Sequence, residues 1–309
     1  MNNSEKGFIP VMLTPFNEDG AIDYNGLTQL VELYLSAGVS GLFANCLSSE
    51  MYELSEKERL ELVKHVVKVV NGKVPVVATG SFGESIPQKA EFVNKIYDTG
   101  VQAVIAITGL LAKEEDSAQV FDQNVAQLLD LTGNVPLGFY ECPVPYKRII
   151  SPEQLGRFVN TGRITYHKDT CLDIEQIRAK IAVTQGHNFG LYDAYMAHAV
   201  ESLKAGSAGL SCIQGNFFPE LVVWLCDNYN NDDEQVAKVQ QFFIDHMDVM
   251  HAGYPVIAKY CLQQRGLPIS MFTRTKTTTL TQEVKTKIDA LINNYDVLKG
   301  ELEIKFEVV

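Results

Sequence analysis

The chain has 309 residues, of which 46% are hydrophobic and 21% are charged, a balance typical of a folded globular protein with a full core. Its net charge is -12 and it has no cluster of lysine and arginine, which excludes a nucleic-acid surface or an anionic-membrane surface. The first residues show no secretory signal, and no stretch offers about 18 uninterrupted apolar residues. We expect a cytoplasmic protein whose partner is a small molecule.

Short apolar runs rich in β-forming residues alternate with helical patterns from residue 8 to about residue 228. Ser55 with Glu58, and Ser151 with Gln154, form capping boxes that predict the starts of two of the helices. Eight strands are predicted, over Phe8–Leu13, Gly41–Asn45, Val74–Thr79, Ala103–Ile107, Pro136–Tyr140, Ile164–Lys168, Phe189–Tyr192 and Ala208–Cys212.

Eight such βα units predict an α/β fold, a closed (β/α)8 TIM barrel over residues 1–230. The alternative is an open doubly wound sheet, but the first βα turn lacks GxGxxG and no GxxxxGK[ST] motif occurs. Helical patterns then predict a C-terminal helical domain over 231–299, which caps the barrel or forms an oligomer contact. Residues 300–309 alternate apolar and charged side chains, which predicts a strand-like tail, with a frayed terminus as the alternative.

The six cysteines stand singly without a CxxC pair, so we expect reduced thiols and no zinc-ribbon or thioredoxin motif. Four of them follow predicted strands and should gather towards one face: Cys46, Cys142, Cys171 and Cys212. A metal or redox site is the alternative, but small buried fillers are the simpler interpretation.

Lys168 ends an apolar strand pattern, in RITYHKDTC over 163–171. A strand buried on both faces has no place for a solvated ammonium, so this lysine is the candidate amine nucleophile at the mouth of a cavity. The alternative is a strand-terminal lysine that extends to water. His167 should point to the opposite face by strand alternation, as a packed histidine and not a catalyst.

In such a barrel the functional groups follow the strands. Tyr140 ends strand five, about 4.8 Å from strand six, so its hydroxyl should reach an adduct on Lys168. An amine beside a phenol suggests imine chemistry, with the phenol relaying protons. Ser48 and Ser49 can offer hydroxyl and N–H donors to a carboxylate, which together suggests a 2-keto acid. Three further candidates for substrate binding follow strand eight: Ser211, Gly215 and Asn216.

The motifs around these residues resemble those of the dihydrodipicolinate synthase and N-acetylneuraminate lyase family of class I pyruvate-dependent aldolases. The resemblance runs from Gly7 to about Leu280, through GFIPVMLTPFNEDGAID, the SSE ahead of LSEKER, FYECPVP, HKDT, AGSAGLSCIQGN and KYCLQQRGLP. It implies a (β/α)8 barrel with a C-terminal helical domain and a homo-oligomer, a tetramer or a dimer. It also implies that Lys168 forms the Schiff base, that Tyr140 relays protons, and that CLSSE binds the substrate carboxylate through Ser48 and Ser49.

The chain departs from true dihydrodipicolinate synthases at several positions. Leu47 replaces the relay threonine, and the loop TGLLAKEED after strand four has no tyrosine to donate to a neighbouring subunit. The arginine for the second substrate is replaced by Pro145, although Arg148 lies just beyond and could serve. Glu141, next to the tyrosine, either binds the hydroxyls of a sugar-like substrate or faces solvent.

We therefore predict a class I lyase that makes or breaks a carbon–carbon bond next to the enamine of a 2-keto acid, without metal or organic cofactor. The keto acid is pyruvate or a sugar-derived acid, and the enzyme is not a true dihydrodipicolinate synthase. Two alternatives remain open, a Schiff-base dehydratase of a sugar acid and a non-catalytic barrel that binds a keto acid.

Overall fold

The computed structural model describes residues 6–231, 234–276 and 280–308. Eight parallel strands form one sheet in the order β1-β8-β7-β6-β5-β4-β3-β2. They are β1 Gly7–Phe8, β2 Leu42–Ala44, β3 Val76–Thr79, β4 Ala103–Ile107, β5 Leu137–Tyr140, β6 Ile164–Asp169, β7 Gly190–Asp193 and β8 Gly209–Leu210.

The sheet closes between β1 and β2, which lie at its two ends. Val11, just after β1, forms a parallel bridge with Phe43 of β2. The Phe43 N–H donates to the carbonyl of Pro10 at 3.0 Å, and the Met12 N–H donates to the carbonyl of Phe43 at 3.0 Å. The predicted closed TIM barrel is thus confirmed over the open sheet.

The helices surround the barrel, and both predicted capping boxes are present, at Ser55 with Glu58 and at Ser151 with Gln154. The helices that accompany the strands are α1 Tyr24–Ser36, α2 Glu56–Val70, α3 Ile86–Tyr97, α4 Thr108–Leu111, α5 Ala118–Leu131, α6 Pro152–Val159, α7 Ile174–Thr184, α8 Ala199–Ala205 and α9 Pro219–Asn228. Beyond them lie α10 Glu234–Asp245, α11 Met247–His251, α12 Val256–Gln264 and α13 Gln282–Glu301. Among the described residues, no helix is both long enough and apolar enough to cross a membrane.

The first and eighth strands are the most shortened relative to the prediction. The first ends at Phe8 because Pro10 has no N–H with which to continue the ladder, although the chain stays close to β2. The eighth ends at Leu210, and after Cys212 the chain turns into a 3-10 helix, Ile213–Asn216.

The prediction of a strand-like tail over 300–309 is wrong for the described residues. Helix α13 continues to Glu301, and residues 304–308 belong to no strand, while residue 309 lies outside the described residues. Leu302 and Phe306 are buried in the core, and the guanidinium of Arg265 lies 5.9 Å from the ring of Phe306. The apolar residues of the tail therefore pack against the C-terminal helices instead of pairing with a sheet edge. The domain boundaries at 230 and 299 stay a prediction.

A buried ion pair joins the C-terminal region to the loop after β2. Lys259 of α12 donates to a carboxylate oxygen of Glu50 at 3.0 Å and to the carbonyl of Phe272 at 2.7 Å. The other oxygen of Glu50 accepts from the N–H of Thr275 at 2.7 Å, while Glu50 itself has φ 57°. This carboxylate therefore shapes the turn that follows Ser48 and Ser49 and holds that turn at the barrel mouth.

Candidate active site

Tyr140 and Lys168 are direct partners in the pairing of β5 with β6, and Lys168 pairs with Tyr192 on its other side. Because side chains alternate along a strand, these three residues project from one face, into the barrel. The rings of Tyr166 and Tyr192 stack 4.9 Å apart and form a layer beneath the lysine. The expected neighbourhood of the amine and the phenol is confirmed by this register.

The amine of Lys168 is 4% exposed and lies 4.5 Å from the centroid of the Tyr140 ring. None of the carboxylates in the described parts of the chain forms an ion pair with it. Burial lowers the pKa of Lys168 from its ordinary value, since the charged form loses its hydration without gaining an anion. The predicted alternative, a lysine extended to water, is excluded by this burial.

Three thiols line the surroundings of the amine: Cys46, Cys142 and Cys212, all free and buried. The Cys142 thiol lies near the hydroxyl of Tyr140, and each of the two groups affects the pKa of the other. Burial raises the pKa of the Cys142 thiol and raises that of Cys212 to about 12, so both are neutral at physiological pH. The fourth cysteine of the predicted group, Cys171, lies elsewhere, with its sulfur 3.4 Å from the carbonyl of Asp173.

The two serines after β2 have different surroundings. The hydroxyl of Ser49 donates to the carbonyl of Met12 at 2.6 Å and accepts from the N–H of Cys46 at 3.1 Å. It is therefore committed to the turn itself. Ser48 is 5% exposed and its hydroxyl lies near that of Tyr254, whose pKa it affects, so it is the serine left to meet a ligand.

Tyr254 is a residue of the site that the sequence patterns did not indicate. It precedes α12, and its hydroxyl accepts a hydrogen bond of 2.5 Å from the side-chain amide of Asn216. The same amide donates to the carbonyl of Val11 at 2.8 Å, and the hydroxyl of Tyr34 donates to its oxygen. Since the Tyr254 oxygen already accepts one bond, its proton is left to donate towards Ser48 or a ligand.

Ser211 and Gly215 shape the barrel interior. The hydroxyl of Ser211 donates to the carbonyl of Ile9 at 2.8 Å and accepts from that of Tyr166 at 3.2 Å. A Cβ atom at Gly215 would lie 1.9 Å from the ring of Phe8, so only glycine fits there. The side-chain amide of Asn216 is also hydrogen-bonded within the protein. A substrate-binding role for Ser211, Gly215 and Asn216 stays a prediction, and these residues would act mainly through the shape of the barrel interior.

Glu141 does not face the mouth, and its predicted role in binding substrate hydroxyls is wrong, as is the alternative of a solvent-facing side chain. It is 0% exposed and lies on the helix side of β5, because it follows the inward-facing Tyr140. One oxygen accepts from the Lys180 ammonium at 2.7 Å and from the N–H of Ile150 at 3.0 Å. The other accepts from the N–H of Thr170 at 3.1 Å.

Arg148 is also held by the protein. Its guanidinium donates to the carbonyls of Lys113 and Asp116 at 2.6 and 3.1 Å and to the hydroxyl of Tyr146 at 2.8 Å. These bonds fasten the loop between α4 and α5 to the loop after β5. Contrary to its predicted role in binding a substrate carboxylate, Arg148 supports the rim of the barrel mouth.

A cavity of about 740 Å³ lies at the opposite, amino-terminal end of the barrel. Residues at or before the strand starts line it, among them Lys6, Gln102 and Phe189, and its inner end reaches Tyr166 and Tyr192. The stacked tyrosines are therefore the boundary between this cavity and the surroundings of Lys168.

Comparison with known proteins connects this geometry to an established family. A family model described as the dihydrodipicolinate synthetase family matches residues 4–295. A 4-hydroxy-tetrahydrodipicolinate synthase of Shewanella denitrificans is 25% identical over 295 residues, which cover 90% of this chain and 94% of that protein. The corresponding protein of Shewanella piezotolerans is 25% identical over 264 residues, covering 84% of this chain and 88% of that protein.

Solved structures share the fold at low sequence identity. YagE, a prophage protein of E. coli K12 in complex with pyruvate, matches with a TM-score of 0.82 and 22% identity, over 94% of this chain and 98% of that one. CdNal of Clostridium difficile, in complex with mannosamine, matches with a TM-score of 0.83 and 18% identity, over 94% and 99% of the two chains.

Proposed function

The chain belongs to the dihydrodipicolinate synthetase family, whose members are Schiff-base lyases of class I, and from this premise we propose that Lys168 forms an imine with a 2-keto acid. The observation that carries the proposal is the buried amine over the Tyr140 ring, among buried thiols and without a carboxylate partner in the described parts of the chain. Such surroundings favour the neutral amine, the form that attacks a carbonyl carbon.

The chemistry follows from the two side chains. The Lys168 nitrogen adds to the keto carbon, and the carbinolamine then loses water as the Tyr140 hydroxyl protonates the leaving oxygen. The adjacent carbon of the iminium then loses a proton to the Tyr140 phenolate, which gives the enamine and restores the phenol. The enamine either attacks an aldehyde carbon, which forms a carbon–carbon bond, or arises from the reverse cleavage. Burial raises the pKa of Tyr140 well above its usual value, so the phenol is protonated when it acts as donor.

Ser48, supported by Tyr254, binds the carboxylate of the keto acid in this proposal. These groups are neutral hydrogen-bond donors, which leaves the keto acid as the only anion beside the lysine. When the iminium forms, its positive charge and the substrate carboxylate stabilise each other in a pocket with little water.

We further propose that the substrate is pyruvate or a sugar-derived keto acid and that the chain is not a true dihydrodipicolinate synthase. Leu47 has no proton to pass, and the segment after β4 is a short helix whose Thr108 hydroxyl donates to the carbonyl of Arg148 at 2.6 Å. A cytoplasmic location and a homo-oligomer belong to the same proposal. No specific observation favours the dehydratase or the non-catalytic barrel.

The test starts with the wild-type protein, pyruvate and borohydride, followed by intact-mass measurement. One reduced adduct per chain is expected. Turnover is then measured with sugar-derived keto acids and aldonic acids, and with pyruvate plus aspartate semialdehyde. Cleavage or dehydration should exceed condensation with the semialdehyde. Condensation at a kcat/KM of about 10⁴ M⁻¹s⁻¹ or more, within the ordinary enzyme range, would contradict the assignment, and adduct without turnover would point to the binding barrel.

Tyr254→Phe should weaken the binding of the keto acid. The change keeps the ring but removes a hydroxyl directed towards Ser48, and one hydrogen bond to a charged group contributes about 1.5–3 kcal/mol. We expect KM for pyruvate to rise roughly tenfold or more, since about 1.4 kcal/mol corresponds to a factor of ten. Tyr260→Phe is the matched control, because that hydroxyl bonds Asp289 at 3.0 Å on the α12–α13 contact. Equal KM values for the two variants would remove Tyr254 from the site.

A further inference from the structure

A cluster of four buried titratable groups lies on the outer face of β5 and β6, towards α7. Its members are Glu141, His167, Asp169 and Lys180, each 0% exposed. The Lys180 ammonium donates to Glu141 at 2.7 Å and to Asp169 at 2.6 Å. We call these four residues the back cluster.

The back cluster is adjacent in sequence to both residues proposed for the imine chemistry. Glu141 directly follows Tyr140, and His167 and Asp169 stand on either side of Lys168. Strand alternation sends the two reactive side chains into the barrel and their neighbours outwards. The same two strand ends are therefore held from outside by charge while they present an amine and a phenol inside.

Regular backbone pairing of β5 with β6 runs to Tyr140 and Lys168, and its last bond, from the Glu141 N–H to the Lys168 carbonyl, is 3.3 Å long. The back cluster adds side-chain contacts between the two strand ends at this point. Lys180 bridges one carboxylate from each strand, and Asp169 also accepts from the N–H of Cys171 at 2.8 Å.

The charges of the back cluster balance when His167 is protonated. Its Nε2 atom lies 3.4 Å from a carboxylate oxygen of Glu141 and 3.4 Å from one of Asp169. Burial alone would lower the pKa of His167, but the two carboxylates outweigh it and raise the pKa. They also raise the pKa of Lys180 against its burial. Two anions then face two cations, which is the condition for such a cluster to be tolerated in a core.

The back cluster is not a free metal site, although Glu141, His167 and Asp169 are ligand types within reach of one another. The Lys180 ammonium already lies between the two carboxylates, at hydrogen-bonding distance from both. A cation is thus built into the chain at this position.

We propose that Lys180 is a positioning residue, which aligns the Tyr140 hydroxyl with the Lys168 amine by pairing Glu141 and Asp169 across the two strand ends. The inference rests on the proposed imine chemistry. A displacement of about 1 Å between reacting groups can reduce a rate roughly 10²-fold, so a device that fixes two strand ends acts on the chemical step. Binding of the keto acid, which depends on the loop after β2, should be little affected.

The test compares Lys180→Met with Lys180→Arg in the full-length chain. For Lys180→Met we expect kcat and the rate of borohydride-trapped imine formation to fall roughly 10- to 100-fold, with KM within about threefold of wild type. Lys180→Arg retains a cation that can span both carboxylates, and it should recover most of the rate. A purely structural role would change the fraction of folded protein and leave the rate per folded molecule unchanged.

Two further variants keep the result decisive. Glu141→Gln with Lys180→Met removes one charge of each sign and leaves Asp169 facing His167, so it remains testable if Lys180→Met alone does not fold. Arg163→Met is the matched control, because Arg163 directly precedes β6 and donates to the carbonyl of Val135 at 2.6 Å, far from the mouth. It should lower Tm without changing kcat.

The outcomes separate the two proposals. If wild-type protein forms no trapped imine, the proposed function fails, whatever the variants do. If wild type forms the imine and folded Lys180→Met, alone or combined with Glu141→Gln, forms it at the wild-type rate, the function stands and the positioning role is overturned.

Discussion

Lys168→Ala should abolish the borohydride-trapped adduct with pyruvate and reduce turnover by roughly 10⁴-fold or more, the scale of loss when a nucleophile is removed. The amine is buried beside the Tyr140 ring, and among the described residues no other lysine ammonium lies over that ring. The adduct is measured by intact mass, and peptide mapping of the wild-type protein should place it on Lys168.

The same experiment has a pH dependence with a defined sign. Only the neutral amine attacks, and burial lowers the pKa of Lys168 below its ordinary value of 10.5. The rate of imine formation should therefore rise with pH and level off below pH 10.5. A rate that still rises at that pH would show an amine with ordinary solvation.

Lys6→Ala is the matched control. Lys6 is half-buried, and burial lowers its pKa, as it does that of Lys168. Its ammonium donates to the carbonyl of Ser207 at 2.7 Å, at the amino-terminal end of the barrel. This variant should keep the adduct. An equal adduct in Lys168→Ala and wild type would contradict the central assignment.

The arrangement inside the barrel could be predicted because it depends on the two-residue alternation of side chains along a strand. Side chains of a strand alternate, so an apolar run that ends in Lys168 places His167 on the other face. Because strands and helices alternate along the chain, β5 and β6 are neighbours in the barrel. Those rules need no knowledge of distant residues. The barrel, the caps of α2 and α6, and the contact of Tyr140 with Lys168 all follow from them.

The partners of the outward-facing groups could not be predicted in the same way. Glu141 meets Lys180, which is distant in sequence and lies on α7, and the rotation of a helix about its axis is set by packing that no local pattern specifies. Tyr254 reaches Asn216 from the segment before α12 by an equally long-range contact. Leu302 and Phe306 fit a strand by alternation, but they lie beyond the end of α13 in irregular structure, where packing with the C-terminal helices buries them.

Lys168 and Lys180, two of the buried lysines, differ in the charges that face them. Lys168 faces thiols and a phenol, and burial lowers its pKa, whereas the Glu141 and Asp169 carboxylates outweigh burial and raise the pKa of Lys180. The neutral, reactive form is thus favoured for Lys168, and the charged, unreactive form is favoured for Lys180. Both acidic neighbours of the site lie on the outer face, away from the nucleophile, where a carboxylate would have held the proton on it.

Tyr140→Phe should reduce kcat roughly 10²-fold or more while the chain stays folded, which is the usual scale for a positioned acid or base. The change keeps the ring that lies against the Lys168 amine and removes only the hydroxyl. Dehydration of the carbinolamine then has to take its proton from water, which has little access to a phenol that is 4% exposed. Borohydride trapping at successive times should show slow formation of the imine, and the final amount of imine should be unchanged.

Tyr166→Phe is the control, because the Tyr166 hydroxyl donates to Ser211 in the layer beneath and takes no part in the proposed proton transfer. Wild-type kcat in Tyr140→Phe would remove Tyr140 from the mechanism and leave the proton relay to another group.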